Sequence, residues 1–166
     1  NAAQFLPNGN ILVRFTSPNK EGELRIIDRE ARTIRRVVFP DTELADLTLN
    51  REGTLFAMNS STKCEIRAVS DLNVISTFSD HPRRIRDLRF SPDSSMVVTA
   101  SEDGNVRIFD THDGRIKRNI PAFPRYAMSA AFTADSRRVA STDSFGNLKV
   151  WNVTPRLALE EIKDAN

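Results

Sequence analysis

Apolar and polar residues alternate along this chain in short runs separated by turn signals. Ile85-Arg86-Asp87-Leu88-Arg89-Phe90 keeps an approximate alternation, and Met96-Val97-Val98-Thr99-Ala100 is a compact apolar run. Val106-Arg107-Ile108 alternates again, and Arg115-Ile116-Lys117-Arg118-Asn119-Ile120 reads as half exposed. Successive side chains of a strand point to opposite faces, so a period of two predicts half-buried strands. No segment carries a convincing helical stripe. Leu157 to Asp164 has a weak helical reading, but its place after a third strand predicts a fourth strand instead.

The pattern recurs with a period near 42 residues. Phe90-Ser91-Pro92-Asp93-Ser94 returns 42 positions later as Phe132-Thr133-Ala134-Asp135-Ser136. Going back, the same landmark is Leu49-Asn50-Arg51-Glu52-Gly53 and then Phe5-Leu6-Pro7-Asn8-Gly9. Each is an apolar residue followed by a turn signal. A second landmark keeps the same step: Leu24 to Asp28, Cys64 to Ala68, Val106 to Asp110 and Leu148 to Asn152. A third places Gly22, Gly104 and Gly146 in equivalent hairpin turns, with Thr62 in the remaining copy. Ser101-Glu102-Asp103-Gly104-Asn105 is its clearest form, because Asp-Gly between alternating runs marks a tight turn. Four repeats of four strands predict an all-β chain with approximate units 1–39, 40–79, 80–120 and 121–166.

Composition narrows the possible chemistry. Of 166 residues, 24 are Lys or Arg and 22 are Asp or Glu, and a net charge of +2 does not suit a protein built to coat nucleic acid. No run approaches the roughly 18 apolar residues of a membrane span. One cysteine, Cys64, excludes an internal disulfide and points to a reducing, intracellular setting, cytoplasmic or nuclear. With two histidines, His81 and His112, it cannot make a four-ligand Cys/His zinc site, and no cofactor is expected. The opening Asn1-Ala2-Ala3-Gln4-Phe5 lacks Met and a leader pattern, which reads as a chain beginning inside a larger protein. The triplets Asn59-Ser60-Ser61 and Asn152-Val153-Thr154 read as structural polar residues rather than glycan acceptors.

These residues resemble the WD40 repeat over nearly the whole chain. His81 through Ile120 carries the fullest match. Asp80-His81 stands at the Gly-His position, nine residues before Phe90; Thr99 is the hydroxyl, Asp103 the turn acid and Phe109-Asp110 the Trp-Asp pair. The resemblance implies a β-propeller of four four-stranded antiparallel blades, forming an arc of a seven- or eight-bladed ring, with a closed four-blade ring as the alternative. The missing blades would lie in further sequence or in another chain, because repeats bury their faces against neighbours.

The resemblance also implies a buried hydrogen-bonded group of His81, Thr99 and Asp103. Phe109 lacks an indole N–H, so the last link of that group would be absent. In the fourth repeat Ser141 and Trp151 are retained, while Phe145 replaces the acid and Phe123 the histidine. Ile27 and Arg67 stand at the Trp position of the first two repeats.

His81, beside Asp80 and near Asp87, invites a catalytic reading, but a histidine satisfied inside its blade is the simpler account. His112 falls in a turn, and Cys64 aligns with Val106 and Leu148 as a buried apolar position. No nucleophile elbow, phosphate loop or dinucleotide fingerprint is present, so no enzyme activity is expected.

The expected function is a protein-interaction scaffold. By resemblance, the loops that enter each blade open onto the face where such proteins bind peptides. Arg83 and Arg84 of the third repeat align there with Arg125 and Tyr126 of the fourth. Arginine forks onto carboxylate or phosphate, and tyrosine buries area at low entropic cost. An acidic or phosphorylated partner is therefore expected. The alternative is nucleic acid or anionic lipid headgroups on the same arginines, although the Phe-Arg-Arg-Gly motif of phosphoinositide-binding propellers is absent. Arg32, Arg35 and Arg36 fall on a predicted outer strand.

Overall fold

The computed structural model describes residues 2–16, 21–39 and 44–153. It contains four antiparallel sheets in chain order. The first joins β1 (Ala2–Phe5), β2 (Ile11–Thr16), β3 (Gly22–Ile27) and β4 (Thr33–Phe39). The second joins β5 (Leu44–Leu49), β6 (Leu55–Ser60), β7 (Lys63–Ala68) and β8 (Val74–Phe78). The third joins β9 (Ile85–Phe90), β10 (Met96–Ser101), β11 (Asn105–Asp110) and β12 (Ile116–Pro121). The fourth contains β13 (Ala127–Phe132), β14 (Arg138–Asp143) and β15 (Leu148–Asn152) among the described residues. The fourth strand expected over Leu157 to Asp164 lies outside them.

Each sheet is a meander, so every neighbour in sequence is a neighbour in space. The turn after the first strand bends the same way in each sheet. Gly9, Gly53, Ser94 and Ser136 all take positive φ, between 57° and 83°. The turn after the third strand does so at Ala31, Leu72 and Gly114. Leu72 holds this unfavourable backbone while its side chain is fully buried, and the apolar burial offsets the strain.

One sequence expectation needs correction. Gly22 is a buried residue of β3 paired with Thr16, not a turn residue. The hairpin of the first sheet is longer than the others, so the spacing that aligned Gly22 with Gly104 does not place it at the tip. In the second sheet, Ser61 rather than Thr62 carries the positive φ.

The core lies between the sheets. Leu12, Leu24 and Ile26 of the first sheet pack against Leu47, Phe56 and Met58 of the second. Ala57, Cys64, Ile66 and Phe78 meet Ile85, Leu88, Val97 and Phe109 at the second joint. Val98, Val106, Ile108 and Ile120 meet Ala127, Ala130 and Val139 at the third.

Polar side chains stitch the same joints. Gln4 Nε2 donates to Leu47 O at 3.0 Å while its Oε1 accepts from Leu49 N at 3.1 Å. Asn59 Nδ2 donates to Ile85 O at 3.0 Å, which explains a buried asparagine in the first glycosylation-like triplet. Asp87 Oδ2 accepts from Ser129 Oγ at 2.7 Å and from Ala130 N at 3.2 Å.

Among the described residues the two outermost faces are uncovered. Val106 and Ile108 are fully buried by the fourth sheet, whereas their counterparts one repeat later, Leu148 and Val150, are 65% and 53% exposed. At the other end Phe5 is 78% exposed. Its counterparts Leu49, Phe90 and Phe132 are half-buried.

Candidate functional site

Two kinds of loop meet at one end of the strands: the connections between sheets, and the turn between the second and third strands of each sheet. Between the third and fourth sheets they enclose a cleft of about 390 Å³, lined by Arg83, Glu102, Asp103, Pro124, Arg125 and Tyr126. The structure thus brings three of the four expected contact residues, Arg83, Arg125 and Tyr126, into one depression. Arg84 is exposed outside it, and its carbonyl accepts from Glu102 N at 2.9 Å.

Gly104 holds the cleft together. Its φ of +81° suits the tight turn, and an added Cβ would fall deep inside contact distance of Phe123 O and Arg125 O. Its own carbonyl accepts from Ala122 N at 3.2 Å and Phe123 N at 3.0 Å. The loop bearing Arg125 and Tyr126 is therefore pinned by backbone to the turn bearing Glu102 and Asp103.

The two carboxylates lining the cleft are both matched by arginines of the third sheet. Glu102 Oε1 pairs with Arg86 Nη2 at 2.5 Å, and Asp103 Oδ2 with Arg107 Nη1 at 2.6 Å. Asp103 also accepts from Asn105 N at 2.8 Å. Burial opposes its ionisation, yet Arg107, the Asn105 amide and His81 together hold its carboxyl down at about 2. By contrast, the side chains of Arg83 and Arg125 form no ion pair or hydrogen bond among the described residues. The Arg125 guanidinium lies over the exposed ring of Phe145, 5.8 Å from its centroid.

Behind the cleft, His81 is buried within its sheet. Its Nε2 lies 2.7 Å from Thr99 Oγ1 and its Nδ1 3.1 Å from Asp103 Oδ2. Arg107 Nη1 touches the same Nδ1. Burial, reinforced by the Arg107 charge and opposed by Asp103, pushes the His81 pKa down and keeps the ring neutral. Both ring nitrogens are occupied inside the blade. Asp87 faces Ser129 across the next joint instead of His81. No substrate-facing pair of the kind catalysis needs is assembled here.

Arg107 was not among the residues singled out from sequence. The signal was available: strand alternation puts Arg107 on the same face as Phe109, toward the histidine. Phe109 takes no hydrogen bond there and stacks on Phe78, with ring centroids 4.1 Å apart.

In the fourth sheet the remaining pair meets, with Trp151 Nε1 donating to Ser141 Oγ at 3.0 Å. Lys149, one repeat after Arg107, reaches the ring of Phe123 at 5.0 Å and donates to Ala122 O at 2.8 Å. A cation over an aromatic ring thus stands where the third sheet has its His–Asp–Arg group.

The other candidates are structural or lie elsewhere. Cys64 is fully buried and desolvation pushes its thiol far up, so it is unreactive. His112 lies at the opposite end of the strands, beside a second depression with Leu55, Ile75 and Thr111. Arg35 and Arg36 are exposed on β4, with Arg36 paired to the buried Glu23, and Arg32 binds Asp28 at 2.7 Å. Among the described residues no Asp, Glu, His and Cys group could hold a metal ion, and no helix is long and apolar enough to cross a membrane.

Comparison with known proteins fits this architecture. The family profile described as WD domain, G-beta repeat matches residues 72–110. The guanine nucleotide-binding protein subunit beta of Saccharomyces cerevisiae is 21% identical over 153 residues, covering 89% of this chain and 36% of its own. Human WD repeat and SOCS box-containing protein 1 is 33% identical over 76 residues, 45% of this chain and 18% of its own. The chain thus spans well under half the length of these curated relatives. Among solved structures, the computationally designed Ika4 protein matches with a TM-score of 0.75 and 16% identity, covering 93% of this chain and 92% of that one. Repeat spacing, four meander sheets and the structural match give the chain a β-propeller fold, and residues 72–110 match the WD40 repeat itself.

Proposed function

We propose that this chain is a non-catalytic interaction scaffold that docks an acidic segment of a partner protein in the cleft between its third and fourth sheets. The observation that carries the reading is the charge arrangement. Glu102 and Asp103 are matched by Arg86 and Arg107, whereas Arg83 and Arg125 are unmatched and face the same cleft. Tyr126, 40% exposed, adds an aromatic anchor with a hydroxyl. The name of the yeast relative, a subunit of a larger protein, is in keeping with a role in assembly. Fold alone does not assign function, so the proposal rests on this site.

The uncovered faces support a second element of the proposal: the four sheets are an arc of a larger ring. Leu148 and Val150 repeat the positions that the next sheet buries at every internal joint. An intracellular setting, cytoplasmic or nuclear, suits such a scaffold and the free Cys64 thiol.

Charge reversal tests the cleft. Replacing Arg83→Glu together with Arg125→Glu is expected to abolish capture of acidic partner proteins while leaving the thermal unfolding midpoint within about 2 °C, because both side chains are exposed. Capture unchanged by this pair of substitutions would remove the cleft from the interface.

A further inference from the structure

We propose that the chain carries a second docking site, at the end of the strands opposite the cleft, which seats an uncharged apolar segment of a partner protein. It does not rest on the reading of the cleft. The site is a depression of about 450 Å³ between the second and third sheets. Leu55 of β6 and Ile75 of β8 form its apolar side, and Ile75 is 39% exposed. The third sheet supplies Ser94 and Ser95 from the turn after β9, and Asp110, Thr111 and His112 from the end of β11. Hydrogen bonds across the joint fix these walls. Ser76 Oγ donates to Thr111 O at 2.7 Å, and Ser94 Oγ donates to Glu52 Oε2 at 2.6 Å.

Most polar groups of the depression are already engaged. Asp110 pairs with Lys117 at 2.9 Å and accepts from His112 N at 2.8 Å. Ser95 Oγ donates to Asp93 Oδ1 at 2.9 Å. No unmatched carboxylate, lysine or arginine lines the site among the described residues. Charge complementarity therefore calls for an uncharged segment. Thr111 is the exception. It is buried, and its Oγ1 is the one buried side-chain nitrogen or oxygen without a hydrogen-bond partner among the described residues.

The other repeats show how unusual this hydroxyl is. Val69 and Val153 hold the same place in the second and fourth repeats, and all three residues donate their N–H to a carbonyl of the turn after the first strand. Both valines pack against apolar clusters. Threonine has the shape of valine with a hydroxyl for one methyl, and burying that hydroxyl unpaired destabilises the fold. A rotation about χ1 exchanges the two groups. An extended peptide then supplies an apolar side chain for Leu55 and Ile75 and a backbone group for the hydroxyl.

The test uses the full chain and three capped heptapeptide pools with flanks of Gly, Ala, Ser and Thr, differing only in a central leucine, aspartate or lysine. Fluorescence anisotropy reads binding. The leucine pool is expected to bind at least tenfold tighter than either charged pool, with less than a twofold change between about 0.05 and 0.5 M salt. Ile75→Asp should weaken it at least tenfold. Thr111→Val should weaken it at least threefold while raising the unfolding midpoint by about 2 °C or more, because an unpaired hydroxyl is removed. Arg83→Glu with Arg125→Glu should leave it unchanged.

No binding of the leucine pool, or binding indifferent to Ile75→Asp, would overturn the proposal. Tighter binding of a charged pool would overturn the apolar class of the partner. A lower midpoint with unchanged affinity in Thr111→Val would return that residue to a structural role and overturn its part in the site. Self-association of the chain in sedimentation velocity, lost in Ile75→Asp, would reassign the depression to a second copy.

Discussion

Arg107 closes a polar group that otherwise lacks a member. Phe109 cannot donate a hydrogen bond, and Arg107, two residues earlier on the same face, donates to Asp103 instead. The exchange puts a charge pair where the family pattern has an indole, and a buried pair punishes removal of one partner. Arg107→Met should cost about 3 kcal/mol in urea unfolding, since Asp103 would be left buried and unmatched. Arg86→Met, whose pair with Glu102 is partly exposed, should cost no more than about 1 kcal/mol.

Acid sensitivity follows from the same group. The folded state holds the His81 pKa below its ordinary value, so the unfolded chain takes up this proton first as pH falls. The stability this contributes is complete above about pH 6.5 and declines below it, by at most about 1.4 kcal/mol per pH unit. Asp103, held at about 2, adds stability that is present above about pH 4 and is lost as pH falls toward 2. Urea midpoints measured between pH 7 and 5 should fall for the native chain and stay flat for His81→Gln. An equal slope in both would clear His81 as the source.

Among the elements, turns show best how one repeat serves different ends. Gly104 and Gly146 share a positive φ one repeat apart. Gly104 lies against the backbone of Phe123 and Arg125, while nothing lies near the position a Cβ would take at Gly146. Gly146→Ala should therefore cost about 1 kcal/mol, the conformational penalty alone. Gly104→Ala should cost at least about 1 kcal/mol more, because a carbonyl must move, and it should also weaken binding in the cleft. Thermal unfolding of the two variants side by side reads the difference. The repeat step showed which turns correspond, but Ala31 and Leu72 carry positive φ without any glycine signal. For Leu72 the reason is tertiary: the side chain is held in the core between the first two sheets.

At the scale of the molecule, the ends dominate. Three internal joints bury apolar side chains on both sides, and the same positions at the outer faces, Phe5 at one end and Leu148 and Val150 at the other, are open. Exposed contiguous apolar surface of this kind drives association. The isolated chain should self-associate in sedimentation velocity. Leu148→Lys with Val150→Lys should reduce that association without lowering the unfolding midpoint, since neither side chain is packed. Association unaffected by these substitutions would place the contact elsewhere.

Among the described residues, strand order and phase were written in the chain, because a period of two inside a period near 42 has few structural solutions. The loop residues Arg83, Arg125 and Tyr126 were legible too, since counting from the strand ends put them on one edge. Three-dimensional packing alone decided the rest. It determined that Arg84 lies outside the cleft, and that Gly22 belongs to a strand because its hairpin is longer. It also drew Arg107 and Arg86 inward to neutralise Asp103 and Glu102. Such matching depends on which side chains from neighbouring strands and loops come within hydrogen-bond reach, a distance that no linear spacing records. Sequence located the loop edge that carries these residues, and the pairing of its charges decided which arginines are left without a carboxylate among the described residues.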